Sequence, residues 1–213
     1  MKSIDWSFCL IADTEYLSRI NFFTVIEKAA ELGISLVQLR SKKTDSRTFL
    51  DTAFKIKKIL LPLKIPFIIN DRIDIALACQ ANGVHLGQKD LPLPYAREIL
   101  GRDKIIGITA PNKKIAKKAE LQGADYLGVG PVFHTESKIK AKKPMGIKQL
   151  SIIRKNTNIP ILAIGGINPQ NAAEVMSTGV DGVAVISAVF GSKDPQSSIQ
   201  KIIQETKNQK FKI

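Results

Sequence analysis

The sequence predicts an α/β protein, a single-domain (β/α)8 TIM barrel over residues 1–213, on three observations. Short apolar runs rich in β-branched residues alternate with amphipathic stretches of about ten residues, which is typical of βαβ units and a parallel sheet. The apolar runs are nearly continuous, as expected of strands that are covered on both faces. Eight such runs in 213 residues give about 27 residues per unit, the size of a compact barrel.

The eight predicted strands, in chain order, are FCLIAD (8–13), SLVQLR (35–40), PFIIN (66–70), GVHL (83–86), KIIGIT (104–109), YLGVG (126–130), PILAIGG (160–166) and GVAVIS (182–187). Between them lie stretches with helical spacing, such as FTVIEKAAELG, RTFLDTAFKIKKIL and PQNAAEVMSTG. Several of these stretches end at a glycine, which suits the left-handed residue after a helix C-terminus; we expect this of Gly33, Gly83, Gly123 and Gly179. An open doubly wound sheet is the rival architecture, but its G-x-G-x-x-G fingerprint is absent from the sequence.

Composition excludes several classes of protein. With 44% hydrophobic and 24% charged residues, the chain is not a disordered one. It contains no run of about 18 apolar residues, so no membrane span is expected. The two cysteines, Cys9 and Cys79, are too few for a disulfide scaffold and lack metal-binding spacing, so we expect a reducing, cytoplasmic location.

The net charge is 32 − 19 = +13, which indicates either an anionic partner or solvated lysines on helix faces. Much of the excess lies in helical stretches such as KIKK (55–58) and NKKIAKK (112–118). A binding surface for single-stranded nucleic acid would need aromatic residues among these lysines, and none are interleaved with them. We therefore favour solvated lysines and expect neither nucleic acid nor membrane as a partner; the sequence leaves the oligomeric state open.

In such a barrel the functional side chains follow the carboxyl ends of the strands. Gln38, Arg40 and Lys42 alternate at the end of strand two, so at strand spacing they share one face and could hold a phosphate or diphosphate. The alternative is a charged strand end that reaches solvent.

Asp71 and Asp90 follow strands three and four. Two carboxylates with water and substrate phosphates form a usual Mg²⁺ site, and their position on neighbouring strands favours this interpretation. Asp71 could instead cap the next helix, and Asp90 could be a turn residue before Leu91 and Pro92.

The last three loops indicate a second phosphate site. Gly165-Gly166 and Ile186-Ser187 end strands seven and eight, where backbone N–H groups of such barrels commonly bind phosphate; plain tight turns are the alternative. The loop from residue 134 to 146 is long and lysine-rich, so it is either a lid or a solvated basic loop. His85 is interpreted as a core histidine, and His134 could touch a ligand; neither is assigned a role.

Together these residues resemble the thiamine-phosphate synthase family. The resemblance is carried, in order through nearly the whole chain, by QLRSK, IINDRIDIA, GVHLGQKDL, GADYLGVGPVFHTESK and AIGGINPQN. It implies a transferase of thiamine biosynthesis that condenses hydroxymethylpyrimidine diphosphate with hydroxyethylthiazole phosphate. The products would be thiamine phosphate and diphosphate, formed by a dissociative substitution in which diphosphate leaves first.

The resemblance also implies the roles of individual residues. The pyrimidine diphosphate would be held by Gln38, Arg40, Ser41, Lys42, Asn70, Thr109 and Lys138. The thiazole phosphate would be held by Thr135, Ser137, Gly165, Gly166, Ile186 and Ser187, and Mg²⁺ by Asp71 and Asp90. Thr109 replaces the usual Ser and Ser137 a common Thr, but each keeps a hydroxyl, so a hydrogen bond can survive.

Two rival functions remain. The related thiazole tautomerases resemble this chain in fold, but the histidine base of that group precedes V-F in the sixth loop, where this chain has Pro131. A basic, non-catalytic RNA-binding protein is the rival from another class, and its support is the net charge of +13 alone.

Overall fold

Eight strands and the helices between them account for most of the chain. The structure, a computed structural model, describes residues 4–18, 21–135 and 143–210, with side chains described up to residue 207. The strands are β1 (Phe8–Asp13), β2 (Leu36–Arg40), β3 (Phe67–Asn70), β4 (Gly83–Leu86), β5 (Ile105–Thr109), β6 (Tyr126–Val129), β7 (Ile161–Ile164) and β8 (Gly182–Val185). The helices described are α1 (Phe22–Glu31), α2 (Ser46–Leu60), α3 (Ile73–Ala78), α4 (Leu93–Leu100), α5 (Lys113–Leu121), α6 (Gly146–Arg154), α7 (Ala172–Met176), α8 (Ser187–Phe190) and α9 (Pro195–Lys210), with a 3₁₀ helix at Thr14–Tyr16.

The strands pair in parallel in their chain order and close into a barrel. Closure is made by β1 and β8, where Cys9 lies opposite Ala184 in the register. The predicted (β/α)8 barrel is therefore confirmed, and the open doubly wound sheet is wrong. The predicted seventh strand is too long, because Gly165 and Gly166 have φ angles of +99° and +66° and leave the extended conformation.

The apolar core has two layers. One fills the barrel with side chains such as Cys9, Ile11, Leu36, Ile68, Ile105, Tyr126 and Leu162. The other lies between the outer face of the barrel and the helices, and contains the alternate strand residues, for example Leu10, Val37 and Leu39. This double coverage explains why the strands are continuously apolar in sequence. Both cysteines are free and buried, and none of the described helices has the length and apolar character needed to cross a membrane.

Two glycines in the barrel wall make room for large rings on neighbouring strands. A Cβ atom at Gly107 would lie 2.6 Å from the hydroxyl oxygen of Tyr126. A Cβ atom at Gly128 would lie 2.7 Å from Cε1 of His85. The barrel interior therefore accommodates Tyr126 and His85 only because β5 and β6 carry no side chain at these positions.

The predicted helix-ending glycines are correct in three cases and wrong in one. Gly33, Gly123 and Gly179 have φ angles of +91°, +85° and +83°. Gly83 is instead the first residue of β4, and the left-handed position after α3 is taken by Gln80 at +52°. Gly83 serves close packing, because a Cβ atom there would lie 2.7 Å from the carbonyl carbon of Ile105.

This difference predicts unequal costs for two Gly→Ala substitutions. Gly83→Ala forces a methyl group against the backbone of β5, which cannot move without opening the barrel, so we expect a loss of about 3 kcal/mol in the free energy of unfolding. Gly33→Ala meets open space and pays only for its left-handed backbone, about 1 kcal/mol. Urea unfolding of both variants measures the difference; equal losses would contradict the close-packing role of Gly83.

Candidate functional site

Polar side chains of β2 and β3 meet inside the mouth of the barrel. Gln38 and Arg40 are buried, and both line a small cavity of about 20 Å³ together with Asn70. Gln38 Nε2 donates a hydrogen bond of 2.8 Å to Asn70 Oδ1. Three of the residues predicted to hold a pyrimidine diphosphate are thus adjacent.

Ser41 and Lys42, in the loop after β2, lie farther from the barrel interior. Lys42 follows the end of β2, has a side chain that is 47% exposed, and forms an ion pair with Asp71. Ser41 Oγ accepts hydrogen bonds from Thr14 Oγ1 at 3.0 Å and from the backbone N–H of Thr44 at 3.3 Å. The loop after β2 is therefore tied to the segment that follows β1 through Ser41, and to the loop after β3 through Lys42.

Arg40 forms a buried ion pair with Asp13, the last residue of β1. The two residues are opposite each other in the register of β1 and β2. Asp13 Oδ1 also accepts a hydrogen bond of 3.1 Å from the backbone N–H of Glu15. Sequence reasoning missed Asp13, although the signal was available: an acidic residue ends the first strand, as Arg40 ends the second.

Asp71 and Asp90 face each other after β3 and β4, which are paired strands. Burial and the neighbouring carboxylate of Asp90 raise the pKa of Asp71, while Lys42 opposes the shift. Asp90 Oδ2 accepts a hydrogen bond of 2.6 Å from the backbone N–H of Gly87, so the turn role is real and leaves its other oxygen available. No third His, Cys, Asp or Glu joins the pair among the residues that the structure describes.

The capping interpretation of Asp71 is wrong. The residue that caps α3 is Arg72, and no side chain bonds to the first turn there. Asp71 has a φ angle of +64°, and its backbone N–H donates to the carbonyl of His85 at 2.9 Å. Its carboxylate pairs with Lys42 of the loop after β2 instead of with the helix.

Thr109, at the end of β5, lines the small cavity together with His85. His85 Nε2 lies 2.9 Å from Thr109 Oγ1, and His85 Nδ1 lies 3.0 Å from the hydroxyl of Tyr126. His85 is a core histidine with partners on both nitrogens, as its apolar strand indicates. Sequence reasoning nevertheless missed that it reaches the cavity, because register with β5 and β6 decides this.

A second, larger cavity of about 620 Å³ opens beside the first. Its lining includes Thr135, Gly166, Ile186 and Ser187, predicted to hold the thiazole phosphate, and also Asp13, Glu15, Tyr16 and His134. Gly165 does not line it and packs against Pro131, where a Cβ atom would lie 2.6 Å from Cα. Ser137 and Lys138 lie outside the described residues.

Ile186 lines both cavities. It lies between the last residue of β8 and the first residue of α8. A ligand in the small cavity and a ligand in the large one would therefore meet across this side chain.

Comparisons with known proteins show the family of this chain. A family model described as "Thiamine monophosphate synthase" matches residues 8–189. The chain belongs to the thiamine monophosphate synthase family. A thiamine-phosphate synthase from Syntrophomonas wolfei is 44% identical over 204 residues, 96% of this chain and 98% of that protein. One from Clostridium botulinum is 47% identical over 90% of this chain and 93% of that protein.

A solved structure extends the likeness to three dimensions. The thiamine phosphate pyrophosphorylase from Pyrococcus furiosus superposes with a TM-score of 0.87 at 33% identity, covering 97% of this chain and 98% of that one. In this member of the thiamine monophosphate synthase family, the two cavities and the facing carboxylates lie at one rim of the barrel. Active sites of such barrels lie at the carboxyl ends of the strands, so this rim is the candidate site.

The buried pair of Asp13 and Arg40 predicts a large loss of stability on truncation. Asp13→Ala leaves a buried guanidinium without its counter-charge, so we expect a loss of about 3–5 kcal/mol in the free energy of unfolding. The control is Asp74→Ala, which breaks the exposed pair between Asp74 and Arg72 and should cost below about 1 kcal/mol. Urea unfolding of both variants tests this, and similar small losses would show that Arg40 does not depend on Asp13.

Proposed function

We propose that this chain joins hydroxymethylpyrimidine diphosphate to hydroxyethylthiazole phosphate and releases thiamine phosphate and diphosphate. The observation that carries the proposal is the pair of cavities that share Ile186. A condensation needs two ligands whose reacting atoms meet, and adjacent cavities with one common wall supply this. Family membership and the names of the relatives support the same reaction.

The polar groups around the small cavity suit one edge of the pyrimidine. A space of about 20 Å³ holds about one water molecule, so the ring itself would lie between these groups and the rim. The hydrogen-bonded amides of Gln38 and Asn70 and the hydroxyl of Thr109 can read the ring nitrogens and the amino group of a pyrimidine. Arg40 and Lys42 stand on the rim side and would meet the diphosphate, Arg40 through its planar fork and Lys42 as a mobile point charge. Ser41 would contribute a hydroxyl from the same loop.

The facing carboxylates of Asp71 and Asp90 fit a divalent metal ion. Burial and the neighbouring carboxylate of Asp90 raise the pKa of Asp71, and a bound cation would relieve the repulsion between the two carboxylates. Hard oxygen donors are the ligands that Mg²⁺ prefers. When bound, Mg²⁺ would neutralise charge on the diphosphate oxygens. Lys42, now paired with Asp71, would then be released toward the diphosphate.

The large cavity suits the thiazole phosphate. Ser187 and Thr135 present hydroxyls to it, and Gly166 presents backbone without a side chain. A Cβ atom at Gly166 would lie 2.8 Å from Cβ of Phe133, so only glycine allows this close turn. Hydroxyl and backbone N–H donors can hold a phosphate without a cation.

In the proposed reaction the bond between the pyrimidine methylene carbon and the diphosphate oxygen breaks, and its electron pair leaves with diphosphate. The lone pair of the thiazole nitrogen then forms the new C–N bond, and the positive charge moves to the thiazolium ring. No proton has to be transferred. The task of the protein is to stabilise the departing diphosphate, which falls to Arg40, Lys42 and, from the family resemblance, Lys138.

An assay with both substrates and Mg²⁺ tests the function, and substitutions of two adjacent lysines test which of them contacts the diphosphate. We expect thiamine phosphate and diphosphate in equal amounts. Lys42→Met should lower kcat/KM for the pyrimidine diphosphate about 100-fold, because one charged donor to the leaving group is lost. Lys43→Met is the matched control: Lys43 pairs with Glu15 at 3.3 Å, and its side chain is 70% exposed, so we expect less than a twofold change.

Absence of both products would overturn the proposal. In that case a salt-dependent gel shift without sequence preference would favour the basic RNA-binding protein. Equal effects of the two lysine substitutions would place the diphosphate elsewhere on the rim.

Asp71→Asn tests the metal site. The variant should fold, because Asn tolerates a positive φ angle, but it should need at least about 10-fold more Mg²⁺ and turn over more slowly. Without Mg²⁺ at neutral pH it should unfold at higher urea than the parent, because one of two repelling carboxylates is gone. This advantage should shrink as the pH falls through the raised pKa of Asp71, since protonation then removes the same charge from the parent.

The control for this experiment is Asp74→Asn, an exposed carboxylate on α3. It should leave the Mg²⁺ requirement unchanged. Because pairing with Arg72 lowers the pKa of Asp74, this variant should lose stability relative to the parent at neutral pH, the opposite sign to Asp71→Asn. A fully active Asp71→Asn protein with the Mg²⁺ dependence of the parent would contradict the metal assignment.

A further inference from the structure

A chain of hydrogen bonds crosses the barrel interior from Tyr126 to Thr109. The Tyr126 hydroxyl lies 3.0 Å from His85 Nδ1, and His85 Nε2 lies 2.9 Å from Thr109 Oγ1. The three residues stand on β6, β4 and β5. The small cavity is lined by all three residues, of which Tyr126 is the most deeply buried.

Tyr126, the most deeply buried of the three residues, determines which atom donates in each hydrogen bond of the series. Tyr126 is 1% exposed, and burial raises the pKa of its hydroxyl, so the proton stays on the oxygen. Among the described residues, His85 Nδ1 is the one acceptor within hydrogen-bond distance of that proton. A buried O–H group without an acceptor is costly, so Tyr126 donates to Nδ1.

The rest of the chain follows from the chemistry of a neutral imidazole. With Nδ1 accepting, the ring proton is on Nε2, and Nε2–H donates to Thr109 Oγ1. The hydroxyl proton of Thr109 must then point away from His85. It points to the cavity that Gln38 and Asn70 also line.

We propose that Tyr126 is a positioning residue, which through His85 makes the Thr109 hydroxyl a hydrogen-bond donor toward the pyrimidine substrate. This inference rests on the proposed function for the identity of the ligand. The ligand atom that meets Thr109 is then an acceptor, a ring nitrogen lone pair rather than the amino group. In this role Tyr126 acts through the tautomer of His85 and not on a reacting atom, although its ring also lines the small cavity.

The packing around the chain holds it in one arrangement. Gly107 and Gly128 clear the space for the Tyr126 and His85 rings, as described above. The indole of Trp6 packs against Tyr126 in a tilted arrangement, with ring centroids 4.7 Å apart. Tyr126 is therefore held by packing as well as by its hydrogen bond, which is what a positioning residue needs.

The tautomer can be measured directly on the protein without substrates. The chain has two histidines, so ¹⁵N-histidine labelling gives two ring systems in a long-range ¹H–¹⁵N spectrum, and His85→Gln identifies the one that belongs to His85. We expect the Nε2–H tautomer for His85 in the parent. Tyr126→Phe removes the donor to Nδ1, so we expect the Nδ1–H tautomer to appear. A parent His85 in the Nδ1–H form would overturn the proposal.

Kinetics then separate positioning from structure. Tyr126→Phe should raise KM for the pyrimidine diphosphate about 10-fold, the size of one lost hydrogen bond, and leave KM for the thiazole phosphate within twofold. In a Thr109→Val background, which has no hydroxyl to direct, Tyr126→Phe should add less than a twofold effect; in a Thr109→Ser background the full effect should return. Tyr95→Phe, on the exposed face of α4, is the control.

The fluorescence of Trp6, the single tryptophan of the chain, checks the packing of the variant. An unchanged emission maximum shows that the aromatic stack is retained. An active parent together with a Tyr126→Phe variant that has parent kinetics would overturn the positioning role. A parent that forms no thiamine phosphate would overturn the proposed function instead, while the tautomer measurement would still decide the direction of the chain.

Discussion

Closure of the parallel sheet is the constraint on which the rest of this structure depends. Because β1 pairs with β8 and all eight strands run in the same direction, every strand ends at the same rim, and side chains far apart in sequence meet there. Asp13 and Arg40 are 27 residues apart and form a buried pair. The loop after β3 likewise faces the loop after β4, which brings Asp71 opposite Asp90.

Closure of the barrel also determines which charged side chains lie at the rim. The lysines of α5, for example Lys113 and Lys117, are exposed and form no ion pair among the described residues. They account for part of the net charge of +13 without contributing to the rim. Arg40 and Lys42, by contrast, are each held by a carboxylate. Among the described residues these two cations are therefore held in defined positions at the rim, which matters more for binding a diphosphate than the total charge does.

The interior of the barrel is polar near this rim and apolar below it. Cys9, Leu36 and Ile105 lie in the apolar part of the interior. Gln38, Asn70 and His85 line the small cavity and hydrogen-bond to one another or to a neighbour. Buried polar groups that bond to each other keep a defined geometry without ligand. The packing that stabilises the barrel therefore also holds the polar residues of the site in position. Gly107 and Gly128 serve both purposes, because they leave room for the rings of Tyr126 and His85.

The sequence alone determined the strands, their order and the end of the barrel that carries the polar residues, because these follow from apolar periodicity and from what comes directly after each run. It also identified Asp71 and Asp90 as candidates for one site. Only the tertiary structure decided that Asp71 does not cap α3, that Gly83 is a packing position, that Asp13 holds Arg40, and that His85 joins Tyr126 to Thr109. The reason is that each of these depends on register between strands: the partners of His85 lie 24 and 41 residues away, and periodicity along one strand carries no information about the residue opposite it.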